Sequence, residues 1–532
     1  MRTNSYHTII VGGGIAGLTA AAYLTKAGKS VLLIEKNEVC GGLVNTFWHN
    51  GFGFDAGVRA LEDAGIIAPM LSQLGITLEM VPSPVSIGLQ GDVVNIDTVH
   101  DIAHYRDMLI KHYPQNAHEI DALMKVIRAI MKDMEVLYGI ENPLFKDLKK
   151  DLGYIFKKLL PWLPKFILTI GRINRMNRPV EEFLDTLLSN SALRDIIAQH
   201  FFKKTPTFFA LSYMSLFLDY HYPKGGVGKL PEAITQKILA WGGHIRTQTT
   251  IREVWAHSQT LIDTHGASYT YENLIWAADL KTLYRITHTD HLPASTVQKI
   301  EKQKEAVMRS RGSDSIFSLF LEVDLPVEYF GAIAHGHFFY TPSPQGLGQT
   351  YTRELETLLL AWESTPQEEL WAWLERYIEL NTFEIAIPAL KDPILAPQGQ
   401  TGLVVSLLAE YELFVKVEQS NLQTLFKERL ESKIIEVLTR SIFPKLKAHI
   451  LHQFSFSPLG IAQRVASSEG AVTGWSFEYP SPVVNKIQFS DRSVLTPIPR
   501  VFQAGQWAYS PAGVPMSILT GKLASDRVLK HA

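Results

Sequence analysis

Three glycines and one acid are placed to hold a pyrophosphate. Gly12, Gly14 and Gly17 stand in the spacing G-x-G-x-x-G, and Glu35 follows. Gly12 permits a tight turn, Gly14 lets the backbone approach the phosphates, and Gly17 lets a helix lie close to a strand. The start of that helix, with Ile15 and Ala16, faces the phosphate charge. A carboxylate at Glu35 accepts hydrogen bonds from ribose hydroxyls and repels a 2′-phosphate, which points to FAD or NAD rather than NADP. The flanking elements fit. Ile9 to Val11 reads as a buried parallel strand. Leu18, Ala21, Ala22 and Leu24 read as a helix closed by Gly28, and Val31 to Ile34 is a second strand ending at Glu35. A glycine-rich turn that binds nothing would leave the placement of Glu35 unexplained.

Lys36 is followed by Gly41-Gly42-Leu43 and Thr46, then by Gly51-Phe52-Gly53-Phe54-Asp55-Ala56-Gly57-Val58. Here the chain resembles the phytoene desaturase, carotenoid isomerase and retinol saturase family, within the wider amine-oxidase-like flavoproteins. That family carries EKxxxxGGxxxT and a GFxFDxG segment. The resemblance implies a further pyrophosphate contact at Gly41-Gly42 and a loop at Asp55 to Gly57 running beside a flavin ring. Lys36, Leu43, Thr46 and Val58 join the cofactor-binding set, and the cofactor becomes FAD. If that loop borders the ring, Arg59 reaches flavin or substrate, and a fixed cation there stabilises charge developing on the flavin. Arg59 and Glu62 are the catalytic candidates. The bland alternative is a surface arginine paired with Glu62 or Asp63.

Two more segments carry the resemblance. Tyr222 to Ile234 is similar to the family's YPxGGxGxLxxAI signature, and the strand after Gly242-Gly243 leads to Ile251, whose backbone the resemblance places against adenine. Asn273 to Ala277 reads as a buried strand ending at the cofactor at Ala278. At the C-terminus, Ala504-Gly505-Gln506 and then Gly513-Val514-Pro515-Met516 resemble the family's last FAD signature, in which the turn starts a helix aimed at the flavin. Such a helix end favours a reduced, anionic flavin. Gln506 departs from the pattern, since many relatives carry an acid there; its amide can still meet a hydroxyl.

The architecture expected is α/β: a Rossmann-like FAD-binding domain in three pieces, 1–100, 223–294 and 492–532. A mixed α+β substrate domain fills 295–491, and a helical lid or membrane-facing region 101–222. Strands are expected at 316–323, 332–340 and 402–410, and helices at 355–378 and 421–443. Ile120, Met124, Ile127, Met131, Met134 and Tyr138 form an apolar stripe, read as core or as a soft wall for a long apolar substrate. Gly474-Trp475 is open between pocket wall and core.

The 532 residues are too many for one compact domain. With 46% hydrophobic and 20% charged residues the composition is ordinary, and a net charge of −2 argues against nucleic acid. One cysteine, Cys40, excludes an intramolecular disulfide and reads as a small turn residue rather than a redox thiol. No signal peptide and no run of about 18 apolar residues is found. The exception to neutrality is 146–178, where Lys149, Lys150, Lys157, Lys158, Lys165, Arg172, Arg175 and Arg178 interleave with Leu159, Leu160, Trp162, Leu163, Phe166, Ile167, Leu168 and Ile170. Pro161 and Pro164 are expected to break any single helix. The segment suits the headgroup region of a bilayer or a pair of solvated surface helices; the lipid-dissolved substrates that the resemblance implies favour the membrane, so a cytoplasmic protein peripheral on the membrane is expected.

One complete dinucleotide fingerprint means no dedicated NAD(P)H domain, so an external electron donor or acceptor, or a redox-neutral cycle, is implied. The function implied is FAD-dependent oxidation or reduction of carbon–carbon bonds in an apolar polyene or isoprenoid-like molecule: desaturation, saturation or cis–trans isomerisation. A flavin amine oxidase is one alternative. A lipid carrier without redox chemistry is another, since the prenyl-binding Rab escort and GDP-dissociation-inhibitor proteins share the fold.

Overall fold

A computed structural model describes residues 4–146 and 148–530; the ends of the first and last expected pieces and Asp147 lie outside the described residues. The first strand, β1 (Ser5–Val11), leads into helix α1 (Ile15–Lys26) and strand β2 (Val31–Ile34). β1 pairs in parallel with β2 on one side and with Ser268–Trp276 on the other. β2 continues to His244–Arg246, and Ser268–Trp276 also pairs in parallel with Val501–Gln503. One sheet is thus built from chain segments far apart in sequence. Ile9, Ile10 and Leu33 are fully buried, as a parallel sheet covered on both faces requires. The C-terminal helix (Val514–Lys530) packs so closely on α1 that a Cβ on Gly521 would lie 2.3 Å from the Ala16 carbonyl oxygen.

The second sheet runs Ile450–Phe456, Ser315–Val323, Thr401–Ala409, Phe383–Ala386, His337–Thr341, Val85–Leu89, Asp92–Ile96. Val85–Leu89 pairs in parallel with His337–Thr341, so residues 85–96, early in the chain, complete the later sheet. Between the sheets lies the hairpin Thr46–His49 and Phe52–Asp55, turned by Asn50 and Gly51, both at positive φ. Its Phe52 and Phe54 pack on Phe320, Ala386 and Val404 of the second sheet. This places Asp55 to Gly57 at the seam.

The helix Ala117–Tyr138 buries Ile120, Met124, Ile127, Met131 and Met134, so the stripe is largely core. Trp475 is fully buried, edge-on to Trp507, and also core. Three expectations need correction. Residues 332–340 are not one strand: Val327–Gly331 is helical behind Pro326, and the strand is His337–Thr341. The 355–378 helix is two, Leu355–Leu360 and Gln367–Leu380, with Pro366 at the start of the second, where its missing N–H costs nothing. Pro161 and Pro164 do not break their helix. Pro161 lies in the first turn of Leu160–Arg175, where no N–H is needed, and a π-helical turn, Ile155–Leu159, feeds directly into it.

That helix is two-faced. Leu152, Phe156, Leu160, Leu163 and Ile167 recur every three or four residues and are exposed, Phe156 by 65% and Ile167 by 67%. Arg172 on the inner side pairs with Asp133. Among the described residues, no helix is long and apolar enough to cross a membrane.

Candidate functional site

The glycines of the first turn differ in what surrounds them. A Cβ on Gly17 would lie 1.9 Å from the Gly12 carbonyl oxygen, and one on Gly12, at φ +106°, would lie 2.6 Å from that of Ala277. These two glycines serve close backbone packing. A Cβ on Gly14 meets no atom within 4 Å. The space before α1 is therefore open, and α1 has no side-chain N-cap and no acid in its first turn. That is a cradle a phosphate fits. Gly41 N–H donates to the Gly13 carbonyl at 2.8 Å, and a Cβ on Gly42, at φ +59°, would approach Gly14 Cα at 3.3 Å. The second glycine pair so stacks on the first turn.

Glu35 holds its own surroundings. Its carboxylate accepts from Gly13 N–H at 2.7 Å and Asn37 N–H at 2.8 Å, which leaves a lone pair on each oxygen for a ribose hydroxyl. Thr249 N–H donates to the Glu35 carbonyl at 3.0 Å, which brings the approach to Ile251 beside this acid. Lys36 is turned to the Gln463 carbonyl at 2.5 Å. Burial pushes the Cys40 thiol up to about 12, as an inert turn residue requires. Ala277 N–H donates to the Val11 carbonyl at 2.8 Å, which sets Ala278 at the head of the sheet. Gly505, at φ +91°, donates to Thr520 Oγ1 at 2.9 Å, and the Gln506 backbone lies against Gly474.

From this sheet edge a cavity of about 390 Å³ runs into the seam. Its walls include Leu43, Gly57, Val58, Arg59 and Glu62 on one side, Gly513 to Met516 on another, and Met134, Tyr138, Ile170, Ile173, Phe208 and Phe339 further in. The cavity therefore brings together the FDxG loop, both catalytic candidates and the C-terminal turn. Thr46 and Asp55 stand behind it. Asp55 is fully buried and accepts from Thr46 Oγ1 at 2.7 Å, Tyr222 Oη at 2.7 Å and Val227 N–H at 3.3 Å. Gly228 N–H donates to Thr46 Oγ1 at 3.0 Å.

Arg59 is no surface arginine: it is 3% exposed. Its guanidinium donates to the Asp55 carbonyl and, at 3.0 Å, to Ser406 Oγ, while its Nε is buried without a partner among the described residues. Its carbonyl accepts from Lys391 Nζ at 2.7 Å. Burial pulls the Lys391 amine down to about 8, against the attraction of Asp55. Burial pushes the Glu62 carboxyl up to about 7, which poises it to hold or release a proton near neutrality.

Sequence reasoning passed over His337, Glu384, Lys391 and Ser406. Pairing in the second sheet sets Glu384 opposite Ser406 and Phe339. His337 Nε2 lies 2.9 Å from Glu384 Oε1. Burial alone would raise Glu384, but the His337 hydrogen bond and the charges of Arg59 and Lys391 outweigh it and hold the carboxyl below its usual range.

Residues 10–74 match the model of an NAD(P)-binding Rossmann-like domain. All-trans-retinol 13,14-reductase of Danio rerio is 23% identical over 94% of this chain and 82% of that one. The 4,4′-diapophytoene desaturase of Staphylococcus aureus (strain MRSA252) is 21% identical over 98% of both chains. A redesigned triple mutant of putrescine oxidase shares the fold at a TM-score of 0.62, with 14% identity over 99% of each chain. The N-terminal unit is thus a Rossmann-like unit of the kind that takes a flavin-type dinucleotide. Relatives align along nearly its whole length, and the chain is similar throughout to these desaturases and retinol reductases.

Proposed function

We propose that the protein is an FAD-dependent oxidoreductase acting on carbon–carbon bonds of an apolar polyene or isoprenoid-like substrate, by desaturation, saturation or cis–trans isomerisation. The observation that carries this reading is the single cavity joining the Gly57 to Glu62 segment and the Gly513 turn to a long, largely apolar interior. The open cradle at Gly14 would hold the pyrophosphate, with Gly41 and Gly42 behind it. Gly57, Val58 and the Gly513 to Met516 turn would border the flavin ring. The flavin, when bound, supplies a hydride acceptor or donor. Arg59 would stabilise negative charge there, and Glu62 would hold or release a proton. Absence of a second dinucleotide fingerprint calls for an external electron donor or acceptor.

The exposed stripe from Leu152 to Ile167, edged by Lys157, Lys158 and Lys165, suits a helix lying in the headgroup layer of a bilayer, and supports a membrane-peripheral location. Ile170 and Ile173 of the same helix line the cavity.

The test is a screen of polyenes and unsaturated lipids against the purified protein, with and without reductant, read by mass. Loss of two hydrogens means desaturation, a gain means saturation, and unchanged mass with altered retention means isomerisation. A colourless protein that binds lipid without a flavin band would make it a carrier instead.

A further inference from the structure

Two carboxyl groups face the cavity, and the structure treats them differently. No hydrogen bond to another residue's side chain holds Glu62 among the described residues, and burial keeps that group neutral up to about 7. Glu384 is anchored. It lies within the second sheet, between Phe339 on one neighbouring strand and Ser406 on the other. Although its backbone is covered on both sides, 32% of its side chain is accessible, and that surface is cavity wall. Its Oε1 is held by His337 and its Oε2 has no partner among the described residues.

His337 is itself fixed. It is buried, stacked on Tyr220 at 5.4 Å and tilted against Phe339 at 5.0 Å. A carboxylate can only accept, so Nε2 carries the proton, and Nδ1 is left buried without a partner among the described residues. The one polar bond this ring makes aims Glu384. Arg59 closes the group, since its guanidinium donates to Ser406, the residue directly opposite Glu384.

We propose that Glu384, oriented by His337, is the carboxylate that exchanges a proton with the substrate carbon adjacent to the one exchanging hydride. The inference rests on the oxidoreductase reading. In the desaturating direction a C–H bond breaks at that carbon, an O–H bond forms at Glu384 Oε2, and the bonding pair becomes the second bond of the new C=C. The FAD that the Gly14 cradle and the Gly513 turn would hold would supply the two-electron oxidant, as acceptor of the hydride leaving the neighbouring carbon, and the hydride donor in the saturating direction. A polyene losing hydride gains positive charge, and a fixed carboxylate in a water-poor cavity stabilises that charge. Glu384 is then a catalytic residue and His337 a positioning residue.

The direct test is infrared difference spectroscopy of the flavin-loaded protein as all-trans-retinol binds. Carboxylate stretching bands should shift on binding, and the shift should vanish in Glu384→Gln. In anaerobic stopped flow with the polyene found by mass, Glu384→Gln should keep flavin content and substrate affinity but slow flavin reduction by ~10²-fold or more. Glu384→Asp should recover part of the rate. His337→Gln, which keeps an N–H for Oε1, should retain more rate than His337→Ala. Retinol binding without a carboxylate shift, or Glu384→Gln reducing at the wild-type rate, overturns the assignment while leaving the oxidoreductase reading intact. If neither retinol nor any polyene binds, tryptophan fluorescence stays unquenched, and the oxidoreductase reading falls together with the role of Glu384.

Discussion

The Tyr222 hydroxyl donates to Asp55 Oδ2 at 2.7 Å, joining chain segments 167 residues apart. With Thr46 and Val227 on Oδ1, this bond ties the loop beside the cavity to the chain's return into the first sheet. Lys391 lies over the same tyrosine ring at 4.7 Å. Tyr222→Phe keeps the ring and removes one donor from a fully buried carboxylate. It should lower stability by about 1–3 kcal/mol, read as a drop in the thermal midpoint. An unchanged midpoint would mean that Asp55 finds another donor.

The glycines separate binding from folding. The Cβ that Gly14→Val adds meets no atom within 4 Å. The variant should fold with a near wild-type midpoint and lose most of its flavin, measured as absorbance per protein. Gly17→Ala forces a Cβ against the Gly12 carbonyl and should fail in both measurements. Full flavin content in Gly14→Val would refute the pyrophosphate assignment.

What was legible follows from range. The βαβ unit, the glycine turns and the C-terminal helix start are local patterns, in which apolar periodicity and glycine placement dictate geometry within a few residues. The cavity's polar wall is not local. That Glu384 meets His337, and that Arg59 reaches Ser406, depends on sheet order across the whole chain. The same holds for Val85–Leu89, whose partner is His337–Thr341. The prolines at 161 and 164 misled for another reason: Pro161 sits in the first turn of its helix, after a π-helical turn, and the helix continues through Pro164.

Glu62 should leave a signature in stability against pH. Its folded value, about 7, is raised above the ordinary 4.5 by burial. A raised carboxyl contributes stability that is full below about 4.5 and lost as pH rises through about 7. Glu62→Gln does not titrate. Its stability relative to wild type should therefore rise between these limits, by about 1–3 kcal/mol, and flatten above them. A difference independent of pH would show that Glu62 ionises as an exposed acid does.

The helix 160–175 and the turns before it should bind anionic bilayers. Phe156→Ser with Ile167→Ser removes exposed apolar surface, and Lys157, Lys158 and Lys165→Glu reverse the charge at its edge. Both sets should weaken liposome binding in a flotation assay, and salt should weaken wild-type binding, since surface attraction is screened over about 10 Å at 0.1 M. Wild-type protein that fails to float with anionic liposomes would exclude the docking surface.

Arg59 carries the last prediction. Its guanidinium bonds the Asp55 carbonyl and Ser406, and its own carbonyl bonds Lys391, so the side chain is braced before any substrate arrives. Arg59→Ala leaves Ser406 its bond to Ser318 at 2.8 Å and leaves Asp55 with its three donors. The fold should therefore persist at a cost of about 1–3 kcal/mol, and flavin should stay bound. Loss of the cation should slow flavin reduction or reoxidation by ~10²-fold or more, the scale for removing one fixed electrostatic stabiliser. Arg59→Lys should recover only part, because a point charge cannot reach both Asp55 and Ser406 as the planar fork does. The neighbouring amine offers an independent check. Arg59 is one of the charges that lower Lys391, so its removal should raise the Lys391 titration from about 8 toward the ordinary lysine range, followed by NMR of labelled lysine. Wild-type turnover in Arg59→Ala, with the Lys391 titration shifted as expected, would reduce Arg59 to a structural brace of the loop.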